Sequence, residues 1–137
     1  MISFLLMINR QCKTRFSRYY TQDLDDPVRF ESRLSQECIS RPSNHCLFFS
    51  FEGYHVVYRP YGNLLLIVGS DSPQNEFAWL EWLQLLMETM NQYFDNVTEM
   101  DIVFQLEKVH MIVDELLPKG ILGETNSGRV LKLLGNQ

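Results

Sequence analysis

Few side chains in this sequence are spaced for chemistry. His110 and Asp114 stand four positions apart, so on a helix they share one face. A lone His–Asp pair lacks the third protein ligand that a metal needs. The pair therefore predicts a surface hydrogen bond and not a site. Cys12 lies beside Lys13 and close to Arg10 and Arg15, a basic setting that can lower a thiol pKa. The plainer reading is an inert thiol in a turn. His45 and His55 have no partner in the sequence. The run Leu64-Leu65-Leu66-Ile67-Val68-Gly69 offers one glycine after a strand, too little for the GxGxxG that cradles a dinucleotide. GxSxG, GxxxxGK[ST] and HExxH do not occur. The reading is a protein without catalytic activity, cofactor or metal.

The bulk numbers exclude further classes. The chain of 137 residues has the size of one domain, spanning 1–137, with a real core. It is 45% hydrophobic, 12% aromatic and 21% charged, a globular profile. A formal net charge of −5 disfavours nucleic acid as a partner and an unaided grip on anionic lipid. Three cysteines without a CxxC pair fit reduced thiols better than a disulfide framework or a zinc site. The apolar start Met1–Ile8 lacks the flanks of a signal peptide, and no stretch approaches the ~20 apolar residues that span a bilayer. The expectation is a soluble, cytosolic protein.

Strands come first and helices later. Ile2 to Asn9 reads as a central strand and Arg15 to Tyr20 as the second strand of a hairpin. Asp25 and Asp26 before Pro27 start a helix that carries Phe30, Leu34 and Cys38 and ends at Arg41-Pro42. Cys46–Phe51, Tyr54–Arg59 and Leu64–Ser70 read as three more strands, with Glu52-Gly53 as a tight turn and Pro60 to Asn63 as the next connection. Asn75 to Asp95 is the clearest helix. Glu81, Gln84, Glu88, Gln92 and Asp95 make its polar face. Its apolar arc spans roughly 160°, wider than a one-sided surface helix needs. That width predicts a second cover supplied by another protein. Leu106, Val109, Val113 and Leu116 continue at helical spacing to Pro118, and Thr125 caps a last short helix with Val130, Leu131 and Leu134.

The segment Lys13-Thr-Arg-Phe-Ser-Arg-Tyr-Tyr20 resembles the K-T-R-L-x-K-[WY]-Y block of the small (sigma) subunits of clathrin-adaptor-type complexes. The resemblance continues through Phe51 to Arg59, Asn91 to Phe104, Glu107 to Leu116 and Gly123-Glu-Thr125, in one register. It implies a longin-like α/β fold: a five-stranded antiparallel sheet with helices on both faces. It also implies a heterotetramer, in which a large helical-solenoid subunit embraces this chain beside a second large chain and a medium chain. The implied role is vesicle-mediated protein transport on the cytosolic face of the trans-Golgi network, endosomes or coated vesicles. There the family reads acidic dileucine signals, [DE]xxxL[LI], in cargo tails.

By position within that resemblance, Arg15 matches the arginine that receives the acidic side chain. Gly62, Leu64, Met87, Asn96, Val97 and Ile102 match positions around the leucine slot. Two leucines need an apolar slot worth about 1.5–3 kcal/mol each when fully buried. The chain departs from the family at several points: Gly62 stands where alanine is frequent, Met87 where valine is common, and Ile102 where leucine is. Pro60, Trp79 and Trp82 are also unusual. Cys46, Val68-Gly69 and Gly123-Glu-Thr-Asn126 look most like the small subunit of adaptor complex four, with complexes one and two as near alternatives. A different role on the same fold is a coat subunit like the small chain of coatomer, purely structural and without a cargo pocket.

Overall fold

The structure, a computed structural model, describes residues 2–21, 24–42, 47–73 and 75–118. Its elements in chain order are β1 (Phe4–Asn9), β2 (Thr14–Tyr19), α1 (Pro27–Ser40), β3 (Phe48–Phe51), β4 (Tyr54–Tyr61), β5 (Leu64–Ser70), α2 (Glu76–Phe94), α3 (Glu99–Phe104) and α4 (Leu106–Leu116). The strands form one sheet in the order β2-β1-β5-β4-β3, and every neighbouring pair is antiparallel.

Side chains alternate across a strand, so each strand feeds two faces. Phe4, Leu6 and Ile8 of β1, with Leu65 and Ile67 of β5, pack against Phe30, Leu34 and Cys38 of α1. Leu5, Met7, Leu64, Leu66 and Val68 point the other way and meet α2, α3 and α4. Both central strands are therefore buried along their whole length. The Cys38 thiol sits inside the first layer, where burial pushes its pKa up to about 12, so it stays neutral and unreactive.

Local chemistry sets the boundaries. Asp26 caps α1 by accepting from the Arg29 amide at 3.2 Å, Pro27 fills the first helical position, and Arg41 is extended before Pro42. Glu52 and Gly53 both take positive φ, 48° and 86°, as a two-residue hairpin turn requires. Pro60 is tolerated within β4 because β3 pairs only as far as Val57, leaving that edge open. Asn75 caps α2, and Asp95 closes it in the left-handed conformation. The third strand begins at Phe48 rather than Cys46; Cys46, His45 and the segment from Thr125 lie outside the described residues.

One expectation is corrected, that the broad apolar arc of α2 needs a second protein. Trp79, Trp82, Leu83, Leu86, Met87 and Met90 are all at most 2% exposed within this chain. One flank meets the sheet. The other is covered by α4, whose Val109, Ile112, Val113 and Leu116 join the same cluster, and the Trp82 ring N–H donates to the Leu116 carbonyl at 3.1 Å. Of the large apolar side chains of α2, Phe77 alone is exposed. Leu106 opens α4, at the expected helical spacing, and is 39% exposed, because a separate helix, α3, turns the chain immediately before it. The open apolar surface lies here instead, at Met100, Phe104, Leu106 and Met111.

Gly69 marks where the sheet is tightest. A Cβ there would fall 2.1 Å from the Phe4 ring. That ring is fully buried and held edge-on by Phe30 and Tyr54 at 5.4 and 5.3 Å, so it has nowhere to move. Gly69→Ala is expected to lower stability by about 1–3 kcal/mol, read from urea unfolding followed by tryptophan fluorescence. An unchanged midpoint would mean that the Phe4 layer is far softer than its packing implies.

Candidate functional site

The antiparallel order gathers four irregular segments at one end of the sheet. These are the β1–β2 turn, the β4–β5 turn, the start of β2, and the junction between α2 and α3. Each contributes polar groups that no strand ladder or helix satisfies, and these groups find one another.

Asn9 ends β1 and is 4% exposed. Its side-chain oxygen accepts from the Gln11 and Lys13 amides, both at 2.9 Å, which fixes the turn around Cys12. Its amide nitrogen donates to Glu99 at 2.9 Å. In the β4–β5 turn, Gly62 takes φ +56° and its carbonyl accepts from Arg10 Nε at 3.1 Å. The next residue, Asn63, donates to the other oxygen of Glu99 at 2.9 Å. Arg15, at the start of β2, donates from Nε to Glu99 Oε2. One carboxylate thus receives donors from three separate segments. It lies at the first position of α3, where Thr98 and Asp101 form a capping box. These hydrogen bonds, from Asn9 first and then Arg15, hold the Glu99 carboxyl below its ordinary range.

The α2–α3 junction is built as tightly. Asp95 and Asn96 both take positive φ, 57° and 72°, a conformation that short polar side chains tolerate best. The Asn96 amide returns to the Asn91 carbonyl at 2.9 Å, and the Val97 amide donates to the Asn91 side chain at 3.0 Å. Asn91 in turn donates to the Tyr61 hydroxyl at 2.7 Å, tying the junction to β4.

Six of the seven expected site residues fall at this end, and Met87 lies four positions before Asn91 on α2. Leu64, Met87, Val97 and Ile102 belong to one apolar cluster, at 4%, 2%, 8% and 0% exposure, so Val97 is its most open member. Gly62 and Asn96 lie exposed in the two bordering turns. Space beside Gly62 is open: an added Cβ would touch nothing within 4 Å, and only the positive φ would resist an alanine. Arg15 stands beside the cluster but is not a bare cation, since Glu99 already pairs with it. Sequence reasoning missed Glu99, Asn9, Asn63, Asn91 and Tyr61. The spacing Thr98-x-x-Asp101 marks a helix start and is the one local signal that bears on Glu99.

The other chemistry-bearing residues form a separate structural contact. His110 and Asp114 do share a face of α4, but a guanidinium lies between them. Arg18 donates to Asp114 and approaches His110 Nδ1 at 3.1 Å, while stacking over Tyr20. Desolvation, aided by the Arg18 charge, holds the His110 pKa below its ordinary value, so the neutral ring accepts. Cys12 sits half-buried in its turn with φ 64°. No described helix is long and apolar enough to cross a membrane.

A family model described as the clathrin adaptor complex small chain matches residues 1–137. The sigma-1 subunit of the AP-4 complex from Mus musculus is 39% identical over 132 residues, covering 96% of this chain and 92% of that protein. The AP-4 sigma subunit from Arabidopsis thaliana is 39% identical over 131 residues, covering 95% and 92%. Among structures, a chain in a homology model of the full-length AP-3 complex in a stretched open conformation superposes with a TM-score of 0.78. It is 23% identical, over 98% of this chain and 92% of that one, a likeness of fold.

The Glu99 junction has a measurable signature. A carboxyl whose folded pKa is depressed adds stability at every pH above its unfolded value of 4.5, and loses it as pH falls through the folded one. Between about pH 5 and pH 3, urea midpoints of the wild type should fall more steeply than those of Glu99→Gln. Parallel pH curves would show that the carboxylate is not held in the way described.

Proposed function

Because this chain belongs to the clathrin adaptor complex small-chain family, we propose that it reads acidic dileucine signals in the tails of membrane cargo. As a small subunit of an adaptor complex it serves vesicle transport. The finer reading is sorting at the trans-Golgi network within a complex like adaptor complex four, held peripherally on the cytosolic face of the membrane through that complex. One observation carries the cargo reading. Arg15, Leu64, Val97 and Ile102 lie at the same end of the sheet, joined through the Glu99 bond to α3, with Met87 in the same core layer.

An extended Glu-x-x-x-Leu-Leu segment needs a cation and an apolar slot. The two leucines would enter beside Val97, with the Met87 thioether shifting to admit them, since methionine has several low-energy shapes. The acidic residue would approach the two terminal nitrogens of Arg15, which have no partner among the described residues. The exposed apolar residues Met100, Phe104, Leu106 and Met111 lie on neighbouring helices and suit the large helical subunit as a cover, with the second large and the medium chain completing the complex.

A second reading is favoured by a specific feature. Leu64, Met87 and Ile102 are enclosed and Arg15 is already paired, as expected of a coat subunit with no cargo pocket, like the small chain of coatomer. Fluorescence anisotropy with a labelled Glu-x-x-x-Leu-Leu peptide separates the two. The chain is co-purified with its large subunits as wild type, Val97→Asp and Arg15→Gln. Arg15→Gln removes the cation without setting a second carboxylate against Glu99. Cargo reading predicts that Val97→Asp weakens binding by at least about tenfold and Arg15→Gln by a smaller factor. Binding that ignores both changes, or no binding at all, leaves the purely structural role.

A further inference from the structure

We infer that Glu99 is a resident counter-ion of the cargo site, fixed so that it sets how strongly the site reads the acidic residue of a dileucine signal. The inference rests on the dileucine reading above and concerns a residue that reading does not use.

Three features carry it. The Glu99 carboxylate is pinned independently of Arg15, since Asn9 and Asn63 each hold it at 2.9 Å and Asn9 is itself locked by two backbone amides. It cannot simply swing away when another carboxylate arrives. The Arg15–Glu99 pair is largely sheltered, with side chains 21% and 18% exposed, so solvent screens it less than an open surface pair. Finally, Glu99 takes Nε, and among the described residues the two terminal nitrogens have no partner, so an incoming acid can still be aimed and bonded. That acid meets an arginine whose charge is already offset, with a fixed negative charge close by. Hydrogen bonding is kept while long-range attraction is cancelled. Leucine burial then supplies most of the affinity, and the acidic position discriminates weakly.

Glu99→Gln removes the charge and leaves the shape. Its amide oxygen can still accept from Asn9 and Arg15, and its nitrogen can face Asn63 once the exposed Asn63 amide turns over. The test uses the complex with its large subunits and two peptides, Glu-x-x-x-Leu-Leu and Gln-x-x-x-Leu-Leu. The readout is the ratio of their affinities, which a merely structural role for Glu99 would not raise. In Glu99→Gln that ratio is expected to rise roughly five- to tenfold over wild type, and the rise should shrink at about 0.5 M salt. A ratio that stays the same or falls overturns the inference and makes Glu99 a brace for Arg15. Should Glu99→Gln fail to assemble, the wild-type complex decides: with the Arg15 charge already offset, its ratio should change less than about twofold between low salt and about 0.5 M salt, and a larger change overturns the inference. Wild-type binding that is absent, or indifferent to Val97→Asp, instead removes the dileucine reading on which the inference stands.

Discussion

β1 and β5 have no face left for water. Lying side by side in the middle of the sheet, they bury every residue from Phe4 to Asn9 and from Leu64 to Ser70, so both faces must be roofed by helices. One roof is α1, which offers the stripe Phe30, Leu34 and Cys38 and leaves its other side to solvent. The opposite face needs a heavier cover, and α2 supplies it with two tryptophans, two methionines and several leucines. A helix that apolar cannot itself face water, which explains why α4 exists where it does. It lies along the outer flank of α2, and the Trp82–Leu116 bond satisfies the one polar atom of a buried indole.

This layering changes what α2 says about partners. A wide apolar arc is evidence of two neighbours, but it does not say whether they belong to the same chain. Here both do. Beyond α2 itself, whose Phe77 is exposed, apolar residues are also left open one layer further out on α3 and α4, where Phe104 is 77% exposed. Burying an inner helix moved the open surface to the element that covers it. Family membership, not the arc, supports assembly with a second protein.

The fold was largely legible because its signals are local. Asp26 with Pro27, Arg41 with Pro42, Glu52 with Gly53, and Asn75 with Asp95 each state a boundary within a few residues, and each lies where its chemistry requires. The break between α3 and α4 was harder, because Gln105 interrupts the pattern for one residue and the apolar spacing runs across it. Arg15, Gly62, Leu64, Met87, Asn96, Val97 and Ile102 were singled out by resemblance alone, since nothing in their local pattern marks them as a site. Their electrostatic state was not legible. Glu99 meets Asn9, Arg15 and Asn63 across separations of 90, 84 and 36 residues, and nothing in the local pattern joins them. A surface glutamate at a helix start reads as a favourable dipole contact, which it also is.

The Glu99 junction and the core do different work, and their energies differ in kind. Burying the Phe4 or Trp82 side chain removes a large apolar area from water, and no rearrangement at the sheet end can replace that. A partly exposed ion pair adds little net stability, because both ions lose hydration and long side chains lose freedom. What the junction supplies is position. By drawing donors from β1, β2 and the β4–β5 turn onto one carboxylate, it fixes α3, and with it Val97 and Ile102, relative to Arg15. Loosening it leaves the two apolar layers intact while blurring the spacing between a cation and an apolar edge. On the proposed cargo reading, that spacing is what an extended peptide with a charged residue and a leucine pair would have to match. A contact that is minor for folding then bears on recognition, on that reading, through Val97 and Ile102, residues that the core itself holds.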